Sequence, residues 1–180
     1  MINNFSNNLT IIAAIDQARG IGCNDMLCFQ LDKDLAHFQR TTKNSVCIVG
    51  NTTLNSIGKL NNRTVLGVSK SSISNPFADA MFSNLLQAIK HAHAISSGEI
   101  FIIGGAQIYQ QALAYTDKLI ISHIKGIKSN ANRFFPEIPT SFSQTSKTQP
   151  IRGKDAITGN YIDFTIIEYH RTDYSDFIAV

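Results

Sequence analysis

Two glycine turns in this sequence have the residue type and the position of a phosphate-binding site. Gly50 follows an apolar segment that ends at Val49, and Gly104 with Gly105 follows another that ends at Ile103. A glycine between a strand and a helix lets a phosphate approach backbone N–H groups at the positive end of the helix dipole. Such turns also use glycine for shape alone, so each turn by itself leaves both interpretations open. Two of them on adjacent crossovers favour a nucleotide ligand.

Asp34 and Arg63 are the charged residues that could contact a ligand directly. Helical spacing puts Asp34 at i, i+4 with Phe38 and beside Leu35, at the border of an apolar face where a carboxylate is partly buried. Asp34 either stabilises the helix dipole as a first-turn acid or pairs with two N–H donors of a planar heterocycle. Arg63 precedes a strand, and its position alone favours a solvated loop residue over a bidentate carboxylate anchor.

Other chemistries find little support in the residue pattern. The five histidines are scattered, and His91 and His93 stand at i, i+2 in a predicted helix, where they do not face each other, so we expect no metal site. Cys23, Cys28 and Cys47 form no CxxC pair and have no zinc-ligand spacing. We therefore expect reduced thiols and a cytoplasmic protein.

Length and composition are typical of one globular domain over residues 1–180, with terminal arms at 1–8 and 171–180. The chain is 43% hydrophobic and 16% charged, and its net charge of +3 includes no dense basic run. Nucleic acid is therefore not an expected partner. The apolar run Leu9–Ile15 is too short for a membrane span and lacks the flanks of a signal peptide. We expect a monomer that contacts no membrane.

The elements that must position these residues alternate between strand and helix. Apolar runs and helical spacing predict strands at 9–15, 45–50, 63–69, 80–82, 99–103 and 118–124, and helices at 32–42, 51–58, 84–95 and 106–115. Ser83 is the predicted N-cap of the third helix. The fold class is α/β, a mostly parallel central sheet of about eight strands with about four flanking helices. Segments 142–148 and 161–169 predict an antiparallel C-terminal edge hairpin, and residues 20–30 a long loop.

Taken in order, these segments resemble dihydrofolate reductase. The family's landmarks match IIAAID (11–16), GIG (20–22), DLAHFQRTT (34–42), VGNTTLNSIG (49–58), EIFIIGGAQIYQQAL (99–113) and FFP (134–136) in sequence and spacing. The resemblance covers about residues 9–169. It implies NADPH-dependent hydride transfer to 7,8-dihydrofolate, giving 5,6,7,8-tetrahydrofolate for one-carbon metabolism, and it implies binding of antifolates.

The resemblance also implies roles for individual residues. Asp34 would be the acid of the pterin pocket, Ser122 would support it, and Leu27 and Phe29 would assist catalysis from a lid over residues 20–30. Arg63 would hold the glutamate α-carboxylate. The remaining substrate contacts would be Ile12, Leu35, Phe38, Ile57 and Leu60. NADPH would contact Ala14, Ile21, Gly22, Gly50, Asn51, Thr52, Thr53, Val68, Ser69, Lys70, Ile103, Gly104, Gly105, Ala106, Gln107, Ile108 and Tyr109, with a cis peptide between the two adjacent glycines.

The sequence departs from the family in the lid and near the cofactor phosphates. Cys28 and Phe29 replace the usual Pro-Trp pair, and a phenylalanine has no donor to replace the indole N–H. Asn51 and Gln107 stand where cations are common. Lys70 matches a position at which some members hold the 2′-phosphate, so NADPH stays favoured over NADH.

Two rival hypotheses remain open. The related reductases of riboflavin biosynthesis use NADPH on a ribosylamino-pyrimidine, and Asp34, Phe38 and Arg63 together favour folate over that substrate. A catalytically weakened protein that only binds pterin or nucleotide is the other, and Asp34 with Tyr109 argues against it.

Overall fold

A computed structural model describes residues 8–24, 26–71 and 74–173 of the chain. Over these residues the elements are, in chain order, β1 (Leu9–Ile15), β2 (Gly20–Cys23), β3 (Met26–Leu27), α1 (Asp32–Thr41), β4 (Val46–Gly50), α2 (Asn51–Ile57), β5 (Thr64–Val68), β6 (Ala80–Phe82), α3 (Leu85–Ile95), β7 (Ile100–Ile102), α4 (Ala106–Ala112), β8 (Lys118–Ile124), β9 (Arg133–Phe134), β10 (Phe142–Lys147), β11 (Ile151–Lys154) and β12 (Tyr161–Arg171).

The main sheet confirms the predicted fold class. Its strands lie in the order β10-β12-β8-β1-β7-β4-β5-β6, and every pair from β8 to β6 is parallel. Strand β12 runs antiparallel to β8, β10 and β11, which confirms the predicted pairing of the last strands and adds β11 to it. The carboxyl ends of β1, β7, β4 and β5 therefore meet at one edge, where an open α/β sheet binds its ligands.

Continuous apolar strands place a core on each face of the sheet. Ile11, Ile48 and Ile102 lie in one cluster, and their sequence neighbours Ile12 and Val49 lie in the cluster on the other face. Adjacent strand residues point to opposite faces, so a strand covered by helices on both sides must be apolar at every position. Each such side chain contributes roughly 1.5–3 kcal/mol when fully buried.

Two helix ends differ from the sequence prediction for local reasons. The N-cap of α3 is Asn84 rather than Ser83, because the Asn84 side chain accepts a hydrogen bond from the Gln87 N–H at 3.0 Å. Helix α4 ends at Ala112, three residues before the predicted end. The Ala112 carbonyl accepts from the Thr116 hydroxyl at 2.7 Å, which closes a turn in place of another helical turn.

The segment 20–30 is more regular than the predicted long loop. Strand β2 pairs antiparallel with β3 and with β9, with Gly22 opposite Leu27 and Arg133. A Cβ at Gly22 would lie 3.2 Å from the Arg133 Cβ, so glycine permits this close approach. Strands of two to four residues carry little measurable period in a sequence, which is why the prediction was wrong here.

The C-terminal arm also begins later than predicted. Arg171 is the last residue of β12 and is 7% exposed. Its guanidinium donates to the carbonyls of Leu113 and, at 2.9 Å, Thr116. Arg171 therefore joins β12 to the segment after α4, while residues 1–7 and 174–180 of the predicted arms lie outside the described residues.

Candidate active site

Asp34 lies half-buried in the first turn of α1, beside the central sheet. Leu31, which precedes the helix, is 1% exposed and holds this end of α1 against the core. Ser122 of β8 is buried and forms a side-chain hydrogen bond with Asp34. Burial raises the pKa of the Asp34 carboxyl, while the Ser122 hydrogen bond and nearby His37 partly offset that rise. The result is a carboxyl group that binds its proton more tightly than an ordinary aspartate does.

Tyr109 lies across the sheet edge from Asp34. Its hydroxyl donates to the Ile12 carbonyl at 2.9 Å, and its ring lies 5.0 Å from the Phe135 ring, centre to centre. Burial and the negative charge of Asp34 raise the pKa of Tyr109, so the phenol stays neutral. Tyr109 therefore tethers α4 to β1 and does not act as an acid at physiological pH.

The two glycine turns meet at the carboxyl ends of β4 and β7. The Gly50 N–H donates to the Gly104 carbonyl at 2.7 Å, and the Gly104–Gly105 peptide is cis, as the resemblance implied. A Cβ at Gly105 would lie 2.6 Å from the Thr53 hydroxyl oxygen, and one at Gly50 would lie 3.1 Å from Ile108. The backbone at Gly50 and Gly105 is therefore accessible to a ligand only because these residues have no side chain. Such a surface fits a nucleotide phosphate, and glycine N-caps put no side chain over the first turn of either helix.

The structure brings the other predicted cofactor residues to the same edge of the sheet. They lie near the carboxyl ends of four adjacent strands. Ala14 is in β1, and Val68 ends β5 and is followed by Ser69 and Lys70. Asn51, Thr52 and Thr53 follow β4, and Ile103, Ala106, Gln107 and Ile108 follow β7. Ile21 packs beside the cluster that contains Tyr109. Gly22 does not belong to the main sheet. It lies in β2, in the separate sheet formed by β3, β2 and β9.

The apolar residues predicted for the substrate, the nicotinamide and the lid fall into two groups by exposure. Ile12 and Ile103 are buried in one core cluster, and Phe38, Leu60 and Phe29 pack partly buried against it. Leu35, Ile57 and Leu27 are the second group, with 36%, 37% and 43% of their surfaces exposed. Leu35 directly follows Asp34 in α1, and an exposed aliphatic side chain beside a half-buried carboxylate is typical of a ligand cleft.

Arg63 is held in place and is not the solvated loop residue that its position alone favoured. Its Nε donates to the Thr42 hydroxyl at 2.8 Å, and its two terminal nitrogens donate to the carbonyls of Asn61 at 2.6 Å and Gln39 at 2.9 Å. The guanidinium carbon also lies 5.6 Å from the centre of the Phe38 ring. A guanidinium has five N–H donors, so three bonds leave one donor on each terminal nitrogen.

Two buried aspartates hold the ends of the segment 20–30, and the sequence prediction missed both. Asp16 accepts from the N–H groups of Gly20 at 2.7 Å and Lys128 at 2.8 Å. Asp155 accepts from the Gln30 N–H at 2.9 Å. Burial alone would raise the pKa of Asp155, but hydrogen bonds from Gln30 and the following turn hold it below its ordinary value.

Asn75 is a third residue that the sequence did not reveal. It is 9% exposed, and its amide nitrogen donates to the side-chain oxygens of Asn51 and Asn55, both at 2.8 Å. Asn51 therefore has a fixed orientation at the edge where the phosphates are expected. An asparagine in a polar stretch gives no signal of such a contact.

Fold and site together define the class of the protein, an α/β enzyme with a nucleotide-type glycine edge beside a half-buried carboxylate. Among the described residues no group of three or more His, Cys, Asp or Glu side chains is arranged to hold a metal ion. No helix in the described part of the chain is long and apolar enough to cross a membrane.

Comparison with known proteins gives the family. The family model of dihydrofolate reductase matches residues 8–171. The chain is 34% identical to dihydrofolate reductase of Bacillus subtilis, over 74% of this chain and 78% of the relative. It is 33% identical to that of Buchnera aphidicola subsp. Acyrthosiphon pisum, over 72% and 80%. It is 29% identical to dihydrofolate reductase type 15 of Escherichia coli, over 85% and 94%.

The chain belongs to the dihydrofolate reductase family. Its activity is the NADPH-dependent reduction of dihydrofolate, which makes it an oxidoreductase of tetrahydrofolate biosynthesis and one-carbon metabolism.

Proposed function

We propose that Asp34 is the group on which this reduction depends, through two hydrogen bonds from the 2-amino group and N3 of the pterin ring. The observation that supports this is a half-buried carboxylate that, among the described residues, has no Lys or Arg nitrogen within 4.0 Å. An unpaired carboxylate at that depth is costly unless a ligand supplies donors. A pterin supplies two, side by side, in the geometry that a carboxylate accepts.

Arg63 and the apolar residues would hold the rest of the substrate. The two free N–H donors of Arg63, one on each terminal nitrogen, match the two oxygens of the glutamate α-carboxylate. Ile12, Leu35, Phe38, Ile57 and Leu60 would contact the pterin and the benzoyl ring. This division places a carboxylate of the chain at one end of an apolar cleft and a guanidinium at the other, which fixes the orientation of the substrate.

The glycine edge would hold NADPH. The predicted contacts are those given above, with Ala14, Ile21, Ile103 and Tyr109 beside the nicotinamide and Lys70 at the 2′-phosphate. Bound NADPH supplies the hydride that reduces the pterin. The chain supplies the alignment of the two rings and the exclusion of water.

Asp34 would also control the proton that the reduction consumes. A carboxylate bonded at N3 and the 2-amino group does not reach N5 of the pterin, so water donates the proton and Asp34 raises the basicity of the ring. Asp34 would hold the ring in place throughout, with Ser122 orienting the carboxylate.

Phe29 would close the lid without the hydrogen bond of the usual tryptophan. Its ring packs partly buried against the core cluster of Ile12, and the Lys128 ammonium lies 5.4 Å from the ring centre. Phe29 fills the volume, but it has no donor for an ordered water. We therefore expect a slower reduction and altered antifolate affinity relative to family members with tryptophan here.

The setting of this activity is also proposed. Cys23, Cys28 and Cys47 are free thiols, and free thiols are typical of the reducing cytoplasm. All residues proposed above to contact dihydrofolate and NADPH belong to one chain, so we propose a cytoplasmic monomer. Its resemblance to the family supports inhibition by antifolates.

NADPH absorbance followed with purified protein tests this proposal. Oxidation that requires dihydrofolate and stops on addition of methotrexate is expected. Binding of both compounds without turnover would reject it in favour of a non-catalytic binder, and turnover of a ribosylamino-pyrimidine instead of dihydrofolate would reject the folate assignment.

A further inference from the structure

An open groove of about 700 Å³ lies outside the substrate and cofactor residues. Three segments form it: the end of the lid at Phe29, residues 125–128 after β8, and the hairpin of β11 and β12 with its connection. Of the residues assigned above to dihydrofolate or NADPH chemistry, Phe29 alone lines this groove. The groove is therefore a separate cavity that shares one wall with the lid.

Positive charge concentrates in this groove. Lys125, Lys128 and Arg152 all line it. Within the described ranges, none of the three has a carboxylate oxygen within 4.0 Å, although Asp163 is the cross-strand neighbour of Arg152. Three cations that share one concave surface and form no ion pair of their own attract an anion from solution.

The carboxylates of Asp155 and Asp16, next to the groove segments, already accept hydrogen bonds from the protein. Asp155 accepts hydrogen bonds from Gln30 and from the backbone and hydroxyl of Thr158. Asp16 accepts from three backbone N–H groups, those of residues 18, 20 and 128. Their carboxylates therefore stabilise the lid ends and do not pair with the three cationic side chains.

Aromatic rings hold two of the cations in position. The Lys128 ammonium lies 5.4 Å from the centre of the Phe29 ring, and the Arg152 guanidinium lies 5.8 Å from that of Tyr161. Tyr161 is 61% exposed. A ring face orients a cation without neutralising its charge, so both side chains are ordered before an anion arrives.

We propose that this groove binds a multivalent phosphate anion, of the di- or triphosphate type, independently of NADPH. An arginine fork and lysine ammonium groups are the side chains that bind phosphate oxygens most strongly. A trianion balances the charge of Lys125, Lys128 and Arg152, and the exposed Asn160 amide at the same wall adds a neutral donor.

Calorimetric titration of sodium tripolyphosphate into NADPH-saturated protein at low, constant ionic strength tests the site. Saturation with NADPH keeps the probe out of the cofactor edge. We expect one site per chain and about tenfold weaker binding in the double variant Lys125→Gln/Arg152→Gln, because each exposed contact to a charge contributes modestly. Both side chains are exposed, so NADPH affinity and the thermal midpoint should stay at wild-type values.

A matched control removes two positive charges elsewhere. Lys43→Gln/Lys90→Gln changes the net charge equally at exposed positions outside the groove, and tripolyphosphate should bind it as it binds the wild type. Absence of binding to the NADPH-saturated wild type would overturn the proposal. Equal weakening in both double variants would also overturn it, because net charge and not the groove would then determine affinity.

Discussion

Asp34→Asn is the substitution that separates a ligand-binding carboxylate from a helix-stabilising one. Asparagine keeps one acceptor oxygen, loses the charge, and places an amide donor against a donor of the pterin. Two charge-assisted hydrogen bonds contribute about 1.5–3 kcal/mol each, and one neutral bond about 1 kcal/mol. The expected loss of about 3 kcal/mol in transition-state binding lowers kcat/KM roughly 100-fold.

The pH dependence gives this prediction a second readout. Water supplies the proton in the proposed reaction, and Asp34 compensates for scarce protons by raising ring basicity. The loss in the variant should therefore grow from mildly acidic to mildly alkaline pH. Dihydrofolate-dependent NADPH oxidation over that range measures it.

Stability should change in the opposite direction. The folded-state pKa of Asp34 is raised above the ordinary value of 3.8, so this carboxyl favours folding at low pH and loses that contribution as pH rises through its folded pKa. Asparagine does not ionise, so the Asp34→Asn variant does not lose stability as the pH rises. Its thermal midpoint should exceed that of the wild type at neutral pH, and the difference should shrink on acidification.

Asp32→Asn is the matched control, since it removes the same charge from the exposed part of the same helical turn. It should leave kcat/KM near the wild-type value across the pH range. Wild-type kcat/KM in Asp34→Asn, or equal losses in both variants, would mean that Asp34 does not bind the pterin and is only a first-turn acid of α1.

Three further predictions test the cofactor edge and the corrected C-terminal strand. Lys70→Glu should raise the KM for NADPH more than tenfold, because a repulsive charge replaces an attractive one at a phosphate. The control Lys90→Glu in α3 should leave the KM unchanged. A wild-type KM in Lys70→Glu would mean that another group binds the 2′-phosphate. Gly105→Ala should weaken NADPH binding in fluorescence titration, because the alanine Cβ would lie 2.6 Å from the Thr53 hydroxyl oxygen. Unchanged affinity would mean that NADPH does not bind at the glycine edge. Arg171→Leu should lower the free energy of unfolding by roughly 2–3 kcal/mol in urea, since two buried carbonyls lose their donor; a change below about 0.5 kcal/mol would place this residue in a dispensable arm.

The sequence predicted the elements that carry a strong local pattern. The apolar run of β1 and the helical spacing of α1 each determine one structure, and both match the prediction closely. The turns at Gly50 and Gly104 were also found, because strand, glycine and helix follow one another along the chain. The residue patterns alone did not decide whether these glycines serve chain shape or phosphate binding. The resemblance to a family indicated that they bind NADPH.

Contacts between distant segments were not predictable from local pattern. Asp155 bonds to Gln30 across 125 positions, and no spacing rule connects them. Asp16 follows a strand and precedes a turn, where an aspartate commonly bonds to the backbone ahead, so that signal was present but weak. Arg63 shows the same limit, because its partners Thr42 and Gln39 lie 21 and 24 positions away in the chain.

A crystal structure of the protein with NADPH and methotrexate would show directly whether Asp34 binds the pterin-type ring. Both oxygens of the Asp34 carboxylate should lie about 2.7–2.9 Å from adjacent nitrogens of the bound heterocycle. The nicotinamide should lie against a face of that ring. A carboxylate that bonds only to Ser122 and solvent while the inhibitor occupies the cleft would contradict it.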